Sequence, residues 1–300
     1  VAISEFKKFL NQYPNSTYTK EAKELLVGLL AGTSNFKDAL TLIESLDERS
    51  EATKKLYPRI LYGRAAELIN DGQLNQADDL LNKILKDPYN APVLPLTNYW
   101  KGEIAYRNNN LDDATQFYHK FLNSGNPGIG EATVKEASYN LGYCYLRREN
   151  FAQALSFFQK ATGRISLSSP YIDQDAYTRQ ADCYFMQRNY KQALTMYQQV
   201  IDYSWKNADY ALYQKAMITG INSSKGKIDL LNTMQRVYPG SVLVTDAQME
   251  IAKTYMADEK FRDAIPYLNN IINTPQSNAF KPNALLQLGI ANANIEKNEE

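Results

Sequence analysis

The sequence predicts an all-α protein, a solenoid built from antiparallel helix hairpins, and three observations lead there. An aromatic residue or Leu followed three places later by Ala recurs six times, as Phe36/Ala39, Leu74/Ala77, Leu111/Ala114, Phe151/Ala154, Tyr190/Ala193 and Phe261/Ala264. Most neighbours lie about 37 to 40 residues apart, and self-similarity at that period marks a repeat array. A small residue stands twelve places before most of these alanines: Ala65 before Ala77, Gly102 before Ala114, Gly142 before Ala154, Ala181 before Ala193 and Ala252 before Ala264, with the bulkier Val27 before Ala39. Small side chains at both places let two helices approach closely. Large apolar residues then follow each Ala at offsets of four (Ile43, Leu81, Tyr118, Phe158, Tyr197, Leu268) and seven (Leu46, Ile84, Phe121, Ala161, Val200, Ile271), which lie on one helix face.

Each element follows in order. Residues 1–16 reproduce only a second helix, with Ala2 in the Ala slot and Phe6 and Phe9 behind it. Full hairpins are expected at 19–48, 57–88, 95–124, 134–163, 173–203, 208–239 and 244–275, and 281–296 reproduces only a first helix. The copy at 134–163 is the clearest: Tyr139, Leu141, Gly142 and Tyr145 line one helix face, Arg147–Asn150 gives a polar turn, and Phe151, Ala154, Leu155, Phe158 and Ala161 form the second stripe. Prolines 14, 88, 239 and 275 close several second helices, because Pro cannot continue a helix. The Gly- and Pro-rich stretches 124–130 and 165–170 read as loops between hairpins. At 208–239 the turn Ser223–Lys227 lacks both aromatic and Ala, so an irregular hairpin is expected there. A half repeat at each end predicts a segment of a longer repeat protein, or an end covered by a neighbour, with self-association through uncovered terminal helices as one consequence.

Composition removes several function classes. With 33 basic and 33 acidic residues the formal charge is zero, so no field draws nucleic acid or an anionic membrane surface. No apolar run is long enough to span a bilayer. Two cysteines cannot build a disulfide framework; Cys144 and Cys183 hold equivalent places in successive repeats and read as buried free thiols. The single histidine, His119, has no ligand spacing around it and reads as an exposed residue on a second helix. The carboxylate pairs Asp112–Asp113 and Glu299–Glu300 read as turn, capping or terminal residues. No glycine-rich phosphate loop and no nucleophile–base pair in register is present, so no catalytic residue, cofactor or metal is expected.

Leu141, Gly142, Tyr145, Phe151, Ala154 and Phe158, and nearly as well Ala181, Tyr184, Tyr190, Ala193 and Tyr197, resemble the tetratricopeptide repeat (TPR), and the resemblance covers almost the whole chain. It implies a right-handed superhelical solenoid of about seven full repeats plus two halves, although the spacing exceeds that family's usual length. It further implies a concave groove lined by first helices. The fifth groove position is then Tyr62, Tyr99, Tyr139, Thr178 and Tyr213; the ninth is Ala66, Glu103, Tyr143, Asp182 and Lys253. Tyr62, Tyr99, Glu103, Tyr139, Tyr143, Arg179, Asp182 and Tyr213 become candidate binding residues, against the plainer reading that these tyrosines pack between layers. The clamp that some relatives close on a terminal carboxylate is not expected: Asn140 and Arg179 stand in suitable places, but Glu103, Glu136, Asp175 and Asp182 surround them with the wrong sign.

The expected function is a non-catalytic scaffold that binds a protein or peptide partner. The stretches Phe6–Ser16 and Met234–Ser241 resemble the style of bacterial envelope repeat proteins, which implies a periplasmic or outer-membrane-associated location, with the cytoplasm as the alternative. A glycan-binding envelope solenoid and a regulatory repeat region beside a catalytic domain outside this segment are the other functions weighed.

Overall fold

A computed structural model describes residues 1–299 and consists almost wholly of helices in consecutive pairs. The chain divides into two units, Val1–Cys144 and Tyr145–Glu300. The first holds α1 (Ala2–Gln12), α2 (Thr19–Gly32), α3 (Phe36–Glu44), α4 (Glu51–Asn70), α5 (Leu74–Lys86), α6 (Leu94–Arg107), α7 (Leu111–Asn123) and a two-stranded ladder of β1 (Gly128–Ile129) with β2 (Ala132–Thr133). The division falls inside α8 (Val134–Arg147). The second holds α9 (Phe151–Ala161), α10 (Tyr171–Met186), α11 (Tyr190–Asp202), α12 (Ala208–Thr219), α13 (Ser224–Val237), α14 (Val244–Ala257), α15 (Phe261–Asn273) and α16 (Lys281–Glu299). Seven hairpins therefore lie between two unpaired helices, α1 and α16, as the repeat pattern predicts. Glu300, half of the Glu299–Glu300 pair, lies outside the described residues.

The hairpins share one turn. In six of them three residues join the helices and the middle one takes a left-handed conformation: Ser34, Gly72, Asn109, Glu149, Arg188 and Glu259, with φ between 57° and 73°. Such a residue ends a helix and reverses the chain within a few bonds, so the second helix folds back antiparallel. In four the third turn residue is Asn, and Asn35, Asn110, Asn150 and Asn189 each accept the backbone N–H three residues on, which caps the second helix. Asp112 and Asp113 sit in the first turn of α7, not in the connection, where negative charge favours the helix N-terminus.

Packing follows the predicted stripe. Ala39, Ala77, Ala114, Ala154, Ala193 and Ala264 are all 0 % exposed, and the residues four places on are equally buried. Ala65, Gly102, Ala181 and Ala252 are buried on the first helices of their hairpins, and Gly142 is buried on α8. Gly102 shows why the slot is small: a Cβ there would come within 3.0 Å of the Tyr118 ring. Each unit thus carries its core along the seam between first and second helices.

Four details depart from the sequence reading. The helix α4 begins at Glu51, six residues before the expected bound at 57, because the Ser50 hydroxyl accepts the Thr53 N–H and caps it. The stretch expected to be a loop at 124–130 leads into the β1–β2 ladder, where Gly128 has φ +91° and any Cβ would strike the Ala132 carbonyl. In the sixth hairpin, between α12 and α13, the connection is Gly220–Ser223; Ser224 to Lys227 already form the first turn of α13, capped by Ser223. His119 is half-buried on α7 and not exposed.

Candidate functional site

The first-helix faces carry the candidate residues, and each unit has its own set. In the first unit the Tyr118 hydroxyl donates to Glu103 Oε2 at 2.8 Å. Asn140 Nδ2 donates to the same carboxylate oxygen at 3.1 Å and to the Tyr118 hydroxyl at 2.9 Å, while Arg107 Nε holds Glu103 Oε1 at 2.7 Å. In the second unit the Tyr197 and Tyr210 hydroxyls donate to Asp182 Oδ1 at 2.6 and 3.0 Å. Arg179 pairs with Asp182 and reaches Asp175 at 3.4 Å, and its guanidinium lies 5.0 Å from the centre of the Tyr210 ring. Asn207 Nδ2 donates to Asp175 at 3.1 Å.

The charged groups of these networks are partnered within them. A carboxylate held by two hydroxyls and a guanidinium has little capacity left for a ligand. Asn140 and Arg179 are both engaged by acidic groups within their own units. Burial pushes the Asp182 carboxyl above its usual range, although Arg179, Tyr197 and Tyr210 pull it down. The Cys183 thiol beside it is driven up to about 12, by burial first and by Asp182 second. Both Cys144 and Cys183 are free and buried.

The predicted tyrosines separate into two groups. Tyr99 is only 4 % exposed, and its ring meets Trp100, Tyr118 and Phe121 edge-on at 5.2 to 5.8 Å between centroids. It is a core residue of the α6–α7 seam. Thr178 is likewise buried and returns its hydroxyl to the Gln174 carbonyl. Tyr62, Tyr139, Tyr143 and Tyr213 remain half-buried. Tyr62 accepts a hydrogen bond from Trp100 Nε1 at 3.3 Å, and Tyr139 packs edge-on against Tyr143 at 5.1 Å, so three of the four are fixed before any partner arrives. Burial, helped by Glu250 and Asp246, lifts the Tyr213 hydroxyl to about 12. Glu136, on the same helix as Tyr139 and Tyr143, is raised by burial first; Lys135 opposes the shift, and Glu131 and Glu103 add to it. At the ninth position Lys253 joins Lys227 around Glu250, at 3.0 and 2.8 Å, and Ala66 is half-buried.

The sequence reading took Tyr118 and Tyr197 only as stripe residues and missed Tyr210, Asn207 and Trp100. A signal for two of them was present. Glu103 and Asp182 precede Tyr118 and Tyr197 by fifteen residues, whereas the equivalent pairs are Gly28/Ile43, Ala66/Leu81, Tyr143/Phe158 and Lys253/Leu268. A hydroxyl occurs at the later place only where a carboxylate occupies the earlier one.

Among the described residues, no group of three or more His, Cys, Asp or Glu is arranged to hold a metal ion, and no helix is long and apolar enough to cross a membrane. Residues 134–170 and 175–204 each match a family model of the tetratricopeptide repeat. The C-terminal part of a TPR repeat-containing protein from Cytophaga hutchinsonii has the same fold, with a TM-score of 0.59 at 16 % identity over 88 % of this chain and 99 % of that one. PilW, a type IV pilus biogenesis factor, gives a TM-score of 0.50 at 17 % identity over 74 % of this chain and 97 % of its own. The transcription activator GutR of Bacillus subtilis (strain 168) is 25 % identical over 121 residues, which make up 40 % of this chain and only 14 % of that protein. Residues 134–170 and 175–204 thus match the tetratricopeptide repeat, and the chain shares the fold of TPR structures.

Proposed function

We propose that the chain is a non-catalytic scaffold whose first-helix faces hold a protein or peptide partner. The observation that carries this reading is the set of half-buried, fixed tyrosines Tyr62, Tyr139 and Tyr143. Each offers an apolar ring and a polar tip whose rotamer freedom is already spent, so contact costs little further ordering. Glu136 beside two of them adds an acidic edge, which suits a partner bearing Lys or Arg.

The test is capture of partners from extract of the native host by the wild-type chain and by Tyr62→Ala/Tyr139→Ala/Tyr143→Ala. Loss of at least tenfold of the captured protein, with unchanged helicity, supports the reading; undiminished capture removes it. The placement in a bacterial envelope rests on the Phe6–Ser16 and Met234–Ser241 style, and fractionation of the native host checks it. A second reading, favoured by the match to part of GutR, is that these repeats serve as the partner-binding region of a larger regulator; a captured protein bound to that longer chain at the same tyrosines would express both at once.

A further inference from the structure

In both units the seam between a second helix and the first helix that follows it opens outward as a cleft. Leu40 and Leu68 line one of about 720 Å³ in the first unit, and Leu194 and Thr219 line one of about 590 Å³ in the second. The places are equivalent: Leu40 and Leu194 directly follow the repeat alanines Ala39 and Ala193, and Leu68 and Thr219 stand three beyond Ala65 and Ala216. Their chemistry differs. The first cleft adds Leu80 to its apolar lining and carries Arg64, Asp79, Lys83 and Lys86. The second has Thr219 where Leu30, Leu68, Tyr145, Tyr184 and Tyr255 stand in other hairpins, and its charge is balanced, Asp202 against Lys215.

The polar groups of the second cleft are aligned by one another. Lys215 Nζ donates to Gln198 Oε1, and Gln198 Nε2 donates to Asp202 Oδ1 at 2.7 Å. The Tyr177 hydroxyl donates to Gln199 Oε1 at 2.8 Å, and Gln199 Nε2 donates to the Tyr203 hydroxyl at 3.1 Å. Thr219 gives its hydroxyl proton to the Lys215 carbonyl, which leaves its oxygen as an acceptor. Unlike the carboxylate of Asp182, these groups keep capacity in reserve. Each glutamine amide retains a proton, Lys215 retains others, the Tyr203 O–H is unspent, and Asp202 has further acceptor positions.

A neutral molecule dense in hydroxyls matches that set, because every hydroxyl both donates and accepts. Balanced charge gives neither an anion nor a cation an electrostatic advantage. The half-buried Tyr203 and Leu194 add apolar surface beside the polar groups, which suits the C–H face of a sugar ring. We propose that this cleft binds an uncharged oligosaccharide, with Gln198, Gln199, Asp202 and Lys215 bonding its hydroxyls and Tyr203 lying against a ring. The site lies on other helices than Tyr62, Tyr139 and Tyr143, so it stands or falls separately from the protein-binding face.

The test probes an array of neutral and uronic-acid-bearing oligosaccharides with the chain labelled at its N-terminus. Isothermal titration calorimetry then measures the best neutral glycan, and circular dichroism confirms that each variant is folded. The expected result is saturable binding of at least one neutral glycan, with no preference for the acidic ones. Gln198→Ala/Gln199→Ala should weaken that binding by about tenfold or more. Thr219→Leu, which restores the residue type of Leu68 and so suits the helix packing, should weaken it as well by making the lining apolar. Tyr62→Ala/Tyr139→Ala/Tyr143→Ala should leave it unchanged. Absence of binding to every neutral glycan, preference for the acidic ones, or indifference to both cleft variants overturns the proposal. So does equal competition by an uncharged Ser/Asn heptapeptide, which would assign the cleft to a peptide.

Discussion

The Tyr197 hydroxyl donates to the Asp182 carboxylate at 2.6 Å, joining the second helix of one hairpin to the first across fifteen residues of sequence. Tyr118 and Glu103 repeat the relationship in the other unit at 2.8 Å. At the same offsets four other hairpins carry Gly28/Ile43, Ala66/Leu81, Tyr143/Phe158 and Lys253/Leu268, none of which pairs a carboxylate with a hydroxyl. Such a pair holds only while both partners are present, because a buried carboxylate deprived of a donor keeps its desolvation cost.

Tyr197→Phe should therefore destabilise the second unit by about 1–3 kcal/mol, the cost of leaving a buried polar group short of a partner. Chemical denaturation monitored by far-ultraviolet circular dichroism reads it. Tyr118→Phe should fall in the same range for the same reason. A change below about 0.5 kcal/mol in both, the level of an ordinary surface substitution, would show that the hydroxyls contribute nothing.

Asp182 gives the stability a pH dependence of definite sign. Burial raises its native carboxyl above the ordinary 3.8 despite the opposing pull of Arg179, Tyr197 and Tyr210. The folded state thus holds that proton more tightly than the unfolded chain does. The resulting stabilisation is fully present below the unfolded value and is lost as pH rises through the native one. Asp182→Asn has no charge to desolvate and escapes this loss. The melting temperature of the variant minus that of the wild type should increase between about pH 3.5 and pH 7; a difference that shrinks over that range would reverse the sign.

Gly102 is a packing device. Replacing it with Ala places a methyl group 3.0 to 3.1 Å from the Tyr118 ring, so the fully buried ring must give by a few tenths of an ångström. The expected cost is about 1–3 kcal/mol, typical of overpacking. A thermal melt checks it, and an unchanged melting temperature would mean that the ring yields freely.

The turns store removable strain. Glu149 and Glu259 hold φ 58° in the middle of their connections, a conformation that Gly72 adopts without penalty in an equivalent turn. Glu149→Gly and Glu259→Gly should each stabilise the protein by about 1 kcal/mol, as relief of a left-handed conformation predicts. Equilibrium denaturation of the pair together should show the sum; no gain in either would point to compensating contacts of the glutamates.

The hairpins were legible because their cause is local. A small residue, an Ala twelve places on, and apolar residues four and seven beyond it recur at one period, and each is buried where that geometry demands. The Asn caps at 35, 110, 150 and 189 were equally visible in retrospect, since Asn precedes the aromatic or Leu in each. The candidate site was less legible. Period alone gives Tyr62 and Tyr99 the same place on a first helix, yet Tyr99 is buried against Tyr118 and Phe121 whereas Tyr62 is half-buried and bonded to Trp100. That difference depends on neighbours in three dimensions. The β1–β2 ladder was hidden for a similar reason: its strands are two residues long and are specified by Gly128 in a conformation barred to side chains, and not by any alternation of polarity.

The central claim is that partners are held on the first-helix faces. Hydrogen–deuterium exchange of the chain with its captured partner, against the chain alone, tests it most directly. Slowed exchange in α4 and α8, around Tyr62, Tyr139 and Tyr143, with the second helices α5, α7 and α9 unchanged, is the predicted pattern. Protection confined to the second helices, with α4 and α8 exchanging as before, would contradict it.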